Sequence, residues 1–252
     1  MADRAARLAE LAPWVERARS STGWDFSWLA LRHLDPGPPW NYESAARDAA
    51  RFARAVLDLG TGGGERFARI AAGSSARCVA TEEWPINATV AGRRLQPLGI
   101  SVVAAESARL PLRDNTFDLV LSRHEAIEPA EIARVLAHGG RFLTQQVEND
   151  SWPELRIAFP SMADFGDHGS RYSAELRRLG FNVTLQRHSE RVRYPSLGAF
   201  VFMVAVGPWT LPEFELERDL DAWLELEAAC SDGDGVVVRE RHYLLEAVRA
   251  DR

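Results

Sequence analysis

The chain has 252 residues, 46% of them hydrophobic and 26% charged, with a formal net charge of −6. This is the balance of a globular chain with enough apolar material for a full core, and the acidic surplus disfavours a dedicated nucleic-acid binder. No apolar run reaches membrane-spanning length, the charged N-terminal stretch does not read as a leader, and Cys78 and Cys230 stand in no zinc-like or disulfide-framework spacing, so a cytoplasmic protein without a metal site is expected.

Taken in order, residues 2–19 read as a helix with Ala5, Leu8, Leu11, Ala12 and Val15 on one face. Residues 20–34 continue as an aromatic-rich segment carrying Trp24, Phe26 and Trp28, and Asp35-Pro36-Gly37-Pro38-Pro39 then ends any helix. Trp40-Asn41-Tyr42 leads into a helix that runs to about residue 54. Residues 1–45 are expected to form a helical lid in front of a core spanning 46–252, with Trp24, Trp28, Trp40 and Tyr42 lining a substrate pocket.

The core opens with Val56-Leu57-Asp58-Leu59, a buried strand that runs into Gly60-Thr61-Gly62-Gly63-Gly64 and then a helix over 64–72. Glycines in such a turn reach positive φ and let a ligand approach the backbone. A P-loop requires a lysine, and this chain has none. A dinucleotide fingerprint would put Glu65 where its third glycine belongs, against the pyrophosphate. A second strand over 76–81 ends at Glu82-Glu83-Trp84, about twenty residues on, where a nucleoside-binding α/β fold places a carboxylate on the ribose hydroxyls. A helix over 86–98 and a strand over 101–105 follow, then Glu106-Ser107-Ala108-Arg109-Leu110-Pro111, a polar turn, and Phe117-Asp118 opening a strand that ends at Ser122-Arg123-His124-Glu125.

The turn Gly60-x-Gly62-x-Gly64 behind Asp58 resembles the first motif of class I S-adenosylmethionine-dependent methyltransferases. The run from Glu106 to Ser122 looks like the region between strands three and four of their small-molecule members, and Glu131-Ile132-Ala133-Arg134-Val135-Leu136 before Gly139-Gly140 is similar to their structural signature. The resemblance covers about residues 50–147 strongly. It implies a Rossmann-like, seven-stranded, mostly parallel sheet with an antiparallel last strand and helices on both faces. The cofactor implied is S-adenosyl-L-methionine, held by Asp58, Gly60, Thr61, Gly62, Gly64, Glu82 and Glu83, by Trp84 at the adenine, and by Glu106, Ser107, Ser122 and Arg123. No Asn/Asp-Pro-Pro-Tyr follows strand four, so His124 is the candidate base for a hydroxyl acceptor, with Glu125 beside it as a second base or orienting group.

Beyond a helix over 129–137, the fifth strand ends at Thr144-Gln145-Gln146-Val147, and Gln145 and Gln146 are candidate acceptor contacts. Residues 148–172 alternate turn residues with aromatics and read as a cap insertion, with Trp152 and His168 as further candidates. A helix over 173–179, a strand over 181–186, helices over 196–206 and 216–229, a short strand over 235–238 and a terminal strand over 241–248 complete the chain. The expected activity is in-line methyl transfer to a small-molecule acceptor of specialised metabolism. An RNA methyltransferase of the same fold and a non-catalytic cofactor-binding protein are the rival readings.

Overall fold

The computed structural model describes residues 2–250. In chain order the elements are α1 (Ala2–Ser20), β1 (Arg32–His33), α2 (Tyr42–Ala50), β2 (Ala55–Leu59), α3 (Glu65–Ala71), β3 (Arg77–Glu82), α4 (Pro85–Leu95), β4 (Ser101–Ala104), β5 (Phe117–Arg123), α5 (Pro129–Val135), β6 (Leu136–Val147), α6 (Pro153–Ala158), α7 (His168–Arg178), β7 (Phe181–Tyr194), α8 (Leu197–Ala205), α9 (Leu216–Cys230) and β8 (Val236–Arg249).

One sheet carries them in the order β1-β7-β8-β6-β5-β2-β3-β4. Strands β2 to β6 are parallel to their neighbours, while β8 runs antiparallel between β6 and β7. The central parallel strands are largely apolar because helices cover both faces; all five residues of β2 are buried, whereas the edge strand β4 is not. One face packs on α5 and α7 through Phe117, Val120, Phe142, Tyr243 and Leu245. The other packs on α2, α3 and α4 through Val56, Phe67, Ala80, Leu95 and Leu121. The strand order reverses between β2 and β5, and a sheet of this kind opens its ligand crevice at the carboxyl ends of those two strands.

Eight strands are present where seven are expected. The extra one is the two-residue β1, paired with β7 at Arg32↔Arg193 and His33↔Val192, too short for any sequence periodicity to reveal. Ahead of it, residues 21–31 are not helical apart from a 3-10 turn at Ser27–Leu29. The expected helix over 129–137 stops at Val135. Leu136 already pairs with Phe117, and a bulge at Gly139, φ 73°, carries the chain to Arg141 opposite Leu119.

The last two strands are much longer than their apolar stretches. β7 and β8 pair over fourteen positions, from Phe181↔Arg249 to Tyr194↔Val236, and the pieces expected at 235–238 and 241–248 are one strand. The sequence hides this because Arg187-His188-Ser189-Glu190-Arg191 interrupts the alternation. β8 pairs with the end of β6 at His242↔Val147, so its first residues continue past the carboxyl edge of the parallel sheet. That overhanging ribbon, with α1, α6, α8 and α9, encloses a second core built from Leu11, Tyr194, Phe200, Phe202, Leu220 and Trp223. The cap therefore draws on both chain ends, and residues 148–172 supply only α6 and the start of α7 to the regions around it. No helix among the described residues is long and apolar enough to cross a membrane.

Candidate active site

The glycine turn sits at the crevice. Gly60, Gly62 and Gly64 take φ of 60°, 61° and 79°, and Thr61 N–H donates to Thr81 O at 2.9 Å, locking the turn to β3. What lies beside each glycine separates their roles. A Cβ on Gly60 would stand 2.5 Å from the Glu125 carboxylate, and one on Gly62 would stand 2.6 Å from Cδ1 of Trp24. Both face the crevice. A Cβ on Gly64 would instead meet Leu95 at 2.9 Å, so here both the positive φ and the closing of α3 onto α4 call for glycine.

Carboxylates converge on the turn. Glu82, at the end of β3 and 4% exposed, accepts Gly62 N–H at 2.7 Å on Oε2 and Trp84 N–H at 3.0 Å on Oε1. Each oxygen keeps a lone pair free, which suits a vicinal diol. Burial raises its pKa against the pull of those two amides. Asp58 is pushed up to about 7, first by burial and then by the charges of Glu82 and Glu125. Glu125 also reaches about 7 through burial, with Glu83 and Glu82 adding to the rise and Ser107 offsetting part of it. A buried site that holds its own carboxylates near neutrality is short of a cation.

Beside the turn lies an open cleft of 670 Å³ lined by Glu83, Trp84, Ala105, Glu106 and Arg109. Trp84 is half exposed there, its indole N–H held by Glu83 at 3.2 Å. Ser107 is buried behind Glu106. At the end of β5 the backbone turns sharply. His124 takes φ 58°, rare for a side-chain-bearing residue, and its N–H donates to Gln145 O at 3.0 Å. Its ring stays accessible on the floor of the crevice and stacks on His242, 5.7 Å away and 21° from parallel. Surrounding protein, then Arg123 and His242, hold its imidazole well below the ordinary value, so it is a neutral base at physiological pH.

The two neighbouring glutamines point to opposite faces. Gln145 accepts from Trp40 Nε1 at 3.0 Å, and Trp40 stands edge-on to His188. Gln146 is turned to the other face and spent on Glu125 O and Thr144 Oγ1, both at 2.8 Å, with Ser122 Oγ at 3.5 Å. Tyr42 is buried at the start of α2 beside Ser122 and Arg123 at the β5 end. Three expected acceptor contacts are taken up elsewhere. Trp28 stacks on Trp14, meets Phe202 edge-on and lies under Arg17. Trp152 packs on Phe200 in the cap, and its Nε1 reaches Glu240. His168 bonds Val147 O at 2.9 Å and leans on Tyr243, across the sheet from Trp40. Their aromatic or titratable character suggested a pocket, but the cap core and the α7 start needed it.

Other residues enter that local reading had not assigned to the site. His242 and His188 face each other across the ribbon, Glu190 bonds His33 Nδ1 at 2.8 Å, and Trp209 packs on Trp24. These meet only through the antiparallel register and the chain reversal at the cap, so no local spacing marks them.

Residues 57–144 match the family model described as a methyltransferase domain. No curated protein matches the chain. Among solved structures, the YcgJ protein of Bacillus subtilis is similar at 17% identity and TM-score 0.62, over 84% of this chain and 99% of that one. A putative methyltransferase of Bacillus halodurans is similar at 18% and 0.60, over 82% and 98%. Geranyl diphosphate C-methyltransferase of Streptomyces coelicolor, solved with Mg2+, geranyl diphosphate and S-adenosyl-L-homocysteine, is similar at 14% and 0.51, over 82% and 76%.

Proposed function

We propose that the chain, which matches a methyltransferase domain over residues 57–144, is an S-adenosylmethionine-dependent methyltransferase of class I that methylates a small-molecule acceptor enclosed beneath residues 21–41. S-adenosylmethionine supplies an electrophilic methyl carbon on a cationic sulfur. The residues present fit it: Gly60 and Gly62 leave the turn's backbone approachable on the face that the Glu125 and Trp24 side chains now cover, and the raised carboxyl groups of Asp58, Glu82 and Glu125 would ionise against a sulfonium. In this reading Glu82 holds the ribose hydroxyls, while Trp84 and Glu106 flank the adenine.

The observation that carries the acceptor class is the strap over the crevice. Residues 21–41 are tied to the core by Gly23 N–H on Asn87 Oδ1 at 3.0 Å and by Trp40 on Gln145. A roof fastened at both ends suits an acceptor that fits under it and excludes water from the reacting pair. Beneath it His124 takes the proton of a hydroxyl acceptor, which contributes about 10²–10⁴-fold in general-base catalysis. The test is transfer of labelled methyl from S-adenosylmethionine to a small-molecule library and, in parallel, to total RNA. Label in small molecules alone supports the reading; label in RNA overturns it; binding of S-adenosylhomocysteine with no transfer to either favours a non-catalytic role.

A further inference from the structure

His188 stands across the β7–β8 ladder from His242, and His242 across the β6–β8 ladder from Val147, so both imidazoles share the sheet face of Gln145. Trp40, which bonds Gln145, stands edge-on to His188 with ring centres 6.1 Å apart. Two residues further along β7, Glu190 lies on the same face, 3% exposed, with Oε2 on His33 Nδ1 at 2.8 Å. Its other oxygen, Oε1, is 4.0 Å from His188 Nε2, too far for a hydrogen bond, and that nitrogen is buried without any partner. An oxygen atom set about 2.8 Å from each of the two would bridge them. Glu240 faces Glu190 across the ladder and accepts from the Tyr194 hydroxyl at 2.6 Å. Neither carboxylate is paired with an arginine among the described residues.

We propose that His188 and Glu190 form the far end of the acceptor pocket and hold a second hydroxyl of a neutral aromatic acceptor whose first hydroxyl lies at His124. The inference rests on the small-molecule reading and specifies its substrate class. Only a group that both accepts and donates satisfies the pair. A hydroxyl does so, accepting from Nε2–H and donating to the Glu190 carboxylate. An ionised carboxylate or phosphate has no proton to donate and would stand against two acidic side chains, so this end rejects it. The same wall sets the length of the acceptor. His124 stacks on His242 at 5.7 Å, and one cross-strand step of about 5 Å leads on to His188. The two oxygens of the acceptor are therefore about 10 Å apart, the span of two linked phenyl rings. Imidazole and indole rings along that span suit a flat, apolar body. His33 and Trp40 belong to residues 21–41, so the strap that roofs the acceptor also fixes the pair that recognises it.

Matched biphenyls test this. Wild type, His188→Phe and Glu190→Met, each saturated with S-adenosylhomocysteine, are titrated calorimetrically with 4,4′-dihydroxybiphenyl, 4-hydroxybiphenyl and 4′-hydroxybiphenyl-4-carboxylate. Wild type is expected to bind the diol about 10-fold more tightly than the mono-ol, and the acid more weakly than either. In both variants the diol weakens until its preference is within about twofold, while the mono-ol keeps its affinity. Glu190→Met also relaxes the discrimination against the acid. Labelled-methyl transfer to the diol should show the same loss as a raised KM at unchanged kcat. Equal affinity for diol and mono-ol in wild type, tighter binding of the acid, or a preference that survives both substitutions overturns the proposal. Equal losses for all three biphenyls in the variants mark a structural role and overturn it too. The wild-type ranking needs no variant, so it decides the matter even where a substitution folds poorly. Wild type that does not bind S-adenosylhomocysteine sinks the cofactor reading itself; wild type that binds it and none of the biphenyls sinks this proposal alone.

Discussion

At the scale of single residues, the site's chemistry is set by carboxyl groups that the fold keeps from ionising. Asp58 and Glu125 titrate near 7 in the folded chain and near 4 when unfolded. Between those values the folded chain holds protons that the unfolded chain has lost. The stability these groups contribute is thus full below about pH 4 and vanishes as pH rises through about 7. Asp58→Asn removes one such group, so its stability should exceed that of wild type by a margin that widens from pH 5 to pH 8, on the order of 4 kcal/mol at the upper end, with a matching rise in melting temperature. Scanning calorimetry of the two proteins checks this, and a margin that shrinks with pH would refute it. The same ionisation gives a binding prediction. Affinity for cationic S-adenosylmethionine, relative to neutral S-adenosylhomocysteine, should increase from pH 6 to pH 8, and titration of both ligands at three pH values reads it directly. Much of this was legible beforehand. The strand, glycine turn and carboxylate at Glu82 follow one another at spacings dictated by a βαβ unit, so local pattern located them. A turn's glycines look alike in sequence, and the position of Leu95 shows that Gly64 also serves packing.

At the scale of elements, the strap and the ribbon frame the crevice; the sequence marked residues 1–45 as a lid but as a helical one, and it did not show the ribbon. The ribbon's charged midsection looks like loop until its partner strand is laid beside it. The strap has no regular structure beyond a 3-10 turn, and its position comes from a few tertiary fastenings: Gly23 on Asn87, Trp24 over Gly62, Asp35 with Arg191 and Trp40 on Gln145. Trp24 lies on the face of the glycine turn that a cofactor would use. Trp24→Ala should therefore speed association of S-adenosylhomocysteine by about an order of magnitude in stopped-flow measurements, since the indole must leave before the ligand seats. An unchanged association rate would show that the indole does not cover the entry.

At the scale of the whole molecule, core and cap are built on one continuous pair of strands, although their apolar clusters are separate. Trp223 and Phe200 are fully buried at the centre of the cap, in contact with each other. Phe200→Ala should cost about 3–5 kcal/mol. Because β7 and β8 belong to both halves, the loss should appear as a single lowered transition, not as a separate early melting of the cap. Equality of calorimetric and van't Hoff enthalpies in the variant measures this; two resolved transitions would contradict it.

The unbroken ribbon has one more consequence. Two lobes joined by fourteen rungs of ladder cannot pivot about each other as hinged enzymes do. Residues 21–41 are held over the crevice by isolated side-chain bonds, not by a ladder, so they are the segment that can yield at the least cost. Such a layout separates what must be preserved from what is free to drift. The glycine turn and its carboxylates sit on the laddered sheet, whereas residues 21–41 rest on it through a few side-chain fastenings. A chain made this way can acquire a new substrate by rewriting residues 21–41 and leave the rest of its architecture untouched.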